Sequence, residues 1–296
     1  MASTGFRYRK LIAIAGIFPA IAFLAILFFG AFILTVIQSL GYAPQYGITL
    51  FPTLKYYEAL FLDDGFWQAL GLSFYYALTP TIIGAGLSLL FSLLLAKTFK
   101  ARGLALFLYK IPMVVPYLVG VSLVILLFAN GGLFARLFFL LGWIGSPGDF
   151  PRLLQSPAGW GVMSVYLWKQ VPFMTLMLYS NLLVVGREGA ENARLLGASN
   201  LQIFWHVTLP RLMPALVSST VIVFAFNFGA FEVPFILGAG YPTTLPVEAW
   251  RLFDSSDFSQ RPQAMAIVTV ISVISGACLL AYLWFYRQLE RKRGRI

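Results

Sequence analysis

The side chains able to do covalent chemistry are few, and their spacing rules most of it out. The single histidine, His206, excludes a two-histidine metal site and leaves any serine/histidine/aspartate triad with one base in a polar loop. The single cysteine, Cys278, lies inside a long apolar run, so no intrachain disulfide or thiolate metal cluster can form. No Gly-x4-Gly-Lys-Ser/Thr phosphate loop occurs, so the chain is not expected to hold ATP. The sequence therefore predicts no enzyme, no catalytic residue, no metal and no cofactor of its own. What remains are ionisable and amide groups in apolar surroundings. Lys169 stands beside Gln170 and ahead of Pro172, and Glu232 follows Asn227 and precedes Pro234. A charge at the centre of a bilayer is costly unless it faces a cavity or a partner. Lys169, Gln170, Asn227 and Glu232 are thus the candidate lining of a solute path. Three structural readings stay open: the two charges pair with each other, they tie this chain to a second subunit, or Lys169 sits shallow and reaches an interface.

The elements that must position these groups are membrane spans. Of 296 residues, 59% are hydrophobic and 11% charged, against about 25% charged in a soluble domain. Six apolar runs, at about 11–38, 69–96, 104–129, 160–185, 211–238 and 263–286, each approach or exceed the roughly 20 residues that cross about 30 Å of hydrocarbon. The first run follows Arg7, Arg9 and Lys10 as a signal peptide would. It is too long for one and no small-x-small cleavage site follows promptly, so it reads as a retained span. The net charge of +10 sits beside the spans, which makes it a topology signal and not a nucleic-acid footprint. Fifteen lysines and arginines flank one side, including Lys97, Lys100, Arg102 and Lys110, then Arg187, Arg194 and Arg211, and then the C-terminal tail. Five, Lys55, Arg136, Arg152, Arg251 and Arg261, lie opposite among acids. Positive charge is retained inside, so both termini are expected in the cytoplasm. The expected fold is one all-α membrane domain over 1–296, with interfacial or periplasmic segments at 41–68, 130–159 and 239–262. Within these, 53–68 reads as an interfacial helix and 132–144 as a helix too short to span.

Pro112, Pro116, Pro172, Pro214, Gly229 and Pro234 fall in spans three to five. They free backbone groups that must be satisfied inside protein or a wet cavity, which points to these spans as the path lining. The cytoplasmic loop 186–210 stands apart. Glu191 to Leu196 predicts one short helix, Gly197 a turn through an otherwise costly φ, Asn200 to Val207 a second helix, and Pro210 a break. Leu195, Leu196, Leu201, Ile203, Phe204 and Trp205 make this loop too apolar to stand in water. Either a partner covers it, or it lies on the membrane or its own bundle.

The loop resembles the signature of binding-protein-dependent transport permeases: Glu-Ala-Ala, three residues, Gly, nine residues, Ile-x-Leu-Pro. Here Glu191-Asn192-Ala193 precedes Gly197, and nine residues later stands Val207-Thr208-Leu209-Pro210, with Asn192 and Val207 as the departures. Phe66-Trp67-Gln68-Ala69-Leu70 and the Pro112-x3-Pro116 pair resemble the same family, so the likeness covers most of the chain. The resemblance implies a transport subunit of the bacterial inner membrane. Its loop would act as a coupling helix between spans four and five, with Glu191, Ala193, Gly197, Val207, Leu209 and Pro210 as coupling residues. It further implies a second permease, more often a different chain, two ATP-binding subunits carrying ATP and Mg, and a periplasmic solute-binding protein. The stretches Phe231–Gly238 and Thr244–Trp250 are similar to permeases for polyamines, related small solutes, phosphonates or ferric ion rather than sugars. A polyamine-like solute is the expectation, with a sugar, phosphonate or ferric-ion permease as the alternative. The alternative of another class is an ATPase-independent secondary transporter using Lys169 and Glu232 as a relay.

Overall fold

The computed structural model describes residues 2–96, 102–185 and 188–293, so Lys97, Lys100, Gly186, Arg187 and Arg295 lie outside the described residues. Contacts divide the chain into two compact units, residues 1–64 with 249–270, and residues 65–248 with 271–296.

The first unit holds α1 (Ala2–Ser39), a two-residue antiparallel pair of β1 (Tyr42–Ala43) and β2 (Ile48–Thr49), and α2 (Lys55–Phe61). The Ser39 hydroxyl lies 2.7 Å from the Tyr57 phenol and ties the end of α1 to α2. Arg261 anchors the other side of this unit. Its guanidinium donates to the Tyr46 hydroxyl at 2.9 Å and lies over the rings of Phe253, Tyr46 and Phe258, at 4.1, 4.8 and 5.1 Å from their centroids. An arginine read from sequence as a topology marker is in the structure a cation–π hub.

The second unit carries most of the remaining elements. These are α3 (Asp64–Ala96), α4 (Arg102–Val114), α5 (Tyr117–Phe128), α6 (Leu133–Leu140), α7 (Trp160–Val185), α8 (Glu188–Leu195), α9 (Asn200–Ile203), α10 (Leu209–Gly229) and α11 (Glu232–Leu237). Then follow α12 (Leu245–Asp254) and α13 (Arg261–Arg293), which both continue across the boundary between the units. Helix α7 packs against α4, α5, α10 and α11. Val162, Val165, Tyr166, Met174 and Leu178 of α7 are fully buried, and Leu178 meets Leu212 and Ala215 of α10. Close approach needs small residues: a Cβ at Gly120 would stand 3.2 Å from the Trp168 ring.

Among the described residues, five stretches are long and apolar enough to cross a membrane: Gly16–Ser39, Asp64–Ala96, Tyr117–Leu140, Asn200–Gly229 and Phe258–Gln288. The expected fourth span is the 26-residue α7, which is long enough but is not among the five. It carries the polar Lys169, Gln170 and Asn181, and a helix sheathed by protein need not be uniformly apolar.

Two expectations shift. The third run is not continuous, because α4 ends at Val114 and α5 begins at Tyr117. Pro116 has no N–H to give the Pro112 carbonyl four residues back, so the ladder breaks there. The next stretch is also interrupted: Ala129 is extended and α6 folds back, with Phe134 packed 5.0 Å from Phe128. This is the short helix expected near 132–144. Finally, the fifth run breaks at Ala230, whose ψ of 132° ends α10, and not at Pro234. Pro234 occupies the first turn of α11, where a missing N–H costs nothing.

Candidate functional site

The loop expected to couple forms, over its described residues, two short helices joined by a turn. Helix α8 ends in a Schellman motif: Gly197 N–H donates to the Arg194 carbonyl at 2.9 Å and Ala198 N–H to the Ala193 carbonyl at 3.0 Å. Gly197 has φ +84°, the left-handed conformation that the motif demands, and a Cβ built there would meet nothing within 4 Å. Its glycine is therefore required by backbone conformation and not by internal packing. A reciprocal capping box follows, with the Ser199 hydroxyl accepting from Gln202 N–H at 3.3 Å and the Gln202 side chain accepting from Ser199 N–H at 2.8 Å. The Ser-x-x-Gln spacing was visible in the sequence, and the cap was not drawn from it.

The break expected at Pro210 does not occur. The helix runs from Asn200 to Gly229, with a π-helical turn over Phe204–Thr208 in which Leu209 N–H reaches the Phe204 carbonyl five residues back. The widened turn accommodates Pro210, which lacks an N–H and would crowd the carbonyl of His206 in an ordinary α-helix. Val207 lies in that turn, and Leu209 and Pro210 begin α10. Glu191 and Ala193 lie on α8, Glu191 exposed. The Arg211 guanidinium lies against the backbone of Gly189, within 2.7 Å of where a Cβ would sit, and so closes α8 onto α10. Ile203 turns inward and is buried, whereas Leu195, Leu196, Leu201 and Trp205 are 86, 89, 67 and 56% exposed. The apolar tip is thus four residues, not the six the sequence nominated.

The second site is a cavity of about 250 Å³ lined by Met113, Tyr117, Lys169, Gln170, Phe173, Ile222, Val223 and Phe226. Lys169 is buried and donates to the Pro112 carbonyl at 2.8 Å and to the Val115 carbonyl, with its ammonium 4.7 Å from the Tyr117 ring centroid. These are the carbonyls at the α4–α5 break, so Lys169 caps the ladder that Pro116 interrupts. Glu232 is exposed at the start of α11 and takes no part in that cap. Gln170 donates to the Asn227 side-chain oxygen, and the Asn227 amide donates back to Gln170 at 3.2 Å and to the Thr81 hydroxyl at 3.5 Å. Both amides are buried at 4 and 3% exposure, which a hydrogen-bonded network permits. Of the four nominated path residues the structure thus places Lys169 and Gln170 on the cavity wall, and Asn227 is bonded to Gln170 without lining the cavity. Tyr117 and Phe226, stacked 5.0 Å apart on its wall, were missed, because an aromatic in a membrane span carries no signal that separates it from packing.

A family model described as "Binding-protein-dependent transport system inner membrane component" matches residues 84–295, which contain both the loop and the cavity. The chain belongs to that family. Among its relatives, the probable ABC transporter permease protein y4oQ of Sinorhizobium fredii is 30% identical over 74% of this chain and 71% of its own length. The trehalose/maltose transport system permease protein MalF of Thermococcus litoralis is 24% identical over 82 and 81%. The putrescine transport system permease protein PotI of Escherichia coli is 27% identical over 82 and 79%. The crystal structure of a bacterial ABC transporter involved in import of the acidic polysaccharide alginate contains a chain that superposes with a TM-score of 0.79 at 17% identity, covering 97% of this chain and 99% of that one. The fold is therefore that of an ABC importer permease, and the chain is an inner-membrane component of a transport system.

Proposed function

We propose that this permease crosses the inner membrane six times, with α7 as the sixth span beside the five long apolar stretches and with both termini in the cytoplasm. It pairs with a second permease, two ATP-binding subunits and a periplasmic solute-binding protein, and its loop 186–210 docks on an ATP-binding subunit. The observation that carries this reading is the apolar tip of Leu195, Leu196, Leu201 and Trp205 on a head whose second helix is continuous with the Asn200–Gly229 span. Exposed apolar side chains need a cover, and a head fused to a span turns the cover's motion into motion of the span.

For the solute, the cavity favours a neutral or acidic hydroxyl-rich molecule of the sugar class. Its wall offers two stacked rings, an amide and one ammonium, and no carboxylate stands among its lining residues. Rings suit the apolar faces of sugars, and the Lys169 charge repels a polyamine. The polyamine expectation is kept as the second reading, supported by the likeness to the putrescine permease. The complex, reconstituted in vesicles with its ATP-binding subunits and solute-binding protein, tests both. ATP-dependent accumulation of maltose, trehalose or an oligouronide is expected. Accumulation of putrescine alone would replace the first reading with the second, and accumulation without ATP-binding subunits would discard the importer altogether.

A further inference from the structure

Beyond the cavity, toward the end of α7 away from the coupling loop, lies a second group of polar side chains that nothing above uses. Tyr166 stands one helical turn before Gln170 on the same face of α7, and Tyr76 lies on α3 in the same buried cluster, five residues before Thr81. The two helices thus carry two polar tiers. In the lower tier Thr81, Gln170 and Asn227 are bonded to one another. In the upper tier the phenolic oxygens of Tyr76 and Tyr166, on residues 1 and 0% exposed, have no hydrogen-bond partner among the described residues. Buried hydroxyls are nearly always paired, and one left unpaired costs free energy that an isosteric Phe would not. The surroundings are otherwise apolar, with Val121, Val162, Val233 and Leu237 in the same cluster.

The position links this tier to the cavity. Tyr117, which lines the cavity, packs against the buried cluster that contains Tyr76 and Tyr166. The tier also has a seal. Gly159, the residue before α7, has φ +67°, and the Tyr76 ring occupies the space a Cβ there would fill, with the phenol oxygen 2.6 Å from that point. Tyr75 adds a hydrogen bond to the Ala158 carbonyl at 3.2 Å. The ring of Tyr76 is thus packed on a backbone turn that only glycine leaves open.

We propose that Tyr76 and Tyr166 form a second solute-contacting site, closed in this conformation, whose phenols hydrogen-bond hydroxyl groups of the solute on its way to the Tyr117 cavity. Two neutral groups that both donate and accept suit the hydroxyls of a sugar, so the inference rests on the sugar-class reading. When the seal at Gly159 opens, the orphaned hydroxyls gain partners, and their burial cost favours that opening.

Tyr76→Phe, Tyr166→Phe and the double variant test this in the full reconstituted complex, with maltose, trehalose and an oligouronide as probes. The probe that wild type accumulates is then compared with the same sugar lacking one hydroxyl. The expected result is a melting temperature equal to or above wild type and uptake at saturating loaded receptor reduced about 3- to 10-fold per lost bond. Preference for the intact sugar over its deoxy analogue should shrink as well. Wild-type uptake and preference in the variants would overturn the site, as would a lowered melting temperature, which would mean that the hydroxyls are bonded at rest. Wild type that accumulates none of the three sugars overturns the solute reading itself, a failure seen before any variant is made.

Discussion

At the scale of single residues, Lys169 reads from the sequence as a group facing a solute path, an acid, a second subunit or an interface. Lys169 instead meets two peptide carbonyls at the α4–α5 break. That partner was not legible, because it depends on an N–H that Pro116 lacks in another helix. Gly197 was legible, since a turn between two short helices asks for a left-handed residue and the structure has φ +84° there. The difference is range: a turn is decided by its neighbours in sequence, a buried cap by packing. If Lys169 is chiefly a cap, Lys169→Met leaves two carbonyls unpaired and should destabilise the complex by about 1–3 kcal/mol. A thermal melt checks this. An unchanged melt with lost uptake would make Lys169 a solute ligand instead.

At the scale of elements, the sequence placed the helices well and their interruptions less well. Pro210 was expected to end a helix, and Pro234 to break one. The chain absorbs the first in a π turn and seats the second in the first turn of α11. Proline signals that a hydrogen bond is missing but not how the backbone makes room. The π turn adds one residue to its turn, so removing its cause should let α9 rotate by about 100° about the span. Pro210→Ala is expected to leave the ATP-binding subunit bound while lowering solute-stimulated ATP turnover several-fold. Turnover equal to wild type, measured on the purified complex, would show that the π turn transmits nothing.

At the scale of the whole molecule, membrane residence and the loop's helical content were readable from apolar run length and turn chemistry, and six runs were read as spans. Helix α7 was read as a span although it is not among the five long apolar stretches, because Lys169, Gln170 and Asn181 lower its hydropathy; the helices packed around it leave no mark in the sequence. The cavity's aromatic wall was hidden for the same reason. The solute class depends on which side chains converge across α4, α5, α7 and α10, a property of packing that spacing along the chain does not carry.

The central claim is that the exposed tip of the α8–α9 head is where the ATP-binding subunit docks. Leu196 is its most exposed leucine, so Leu196→Asp should disturb the docking surface far more than the fold, at a helix-dipole cost of about 0.3–1 kcal/mol. Co-purification of the ATP-binding subunit with wild type and with Leu196→Asp is the most direct test. The account predicts that wild type recovers the subunit, and that the variant melts like wild type but loses recovery at least tenfold. Equal recovery from the two, with solute-stimulated ATP turnover intact, would contradict it.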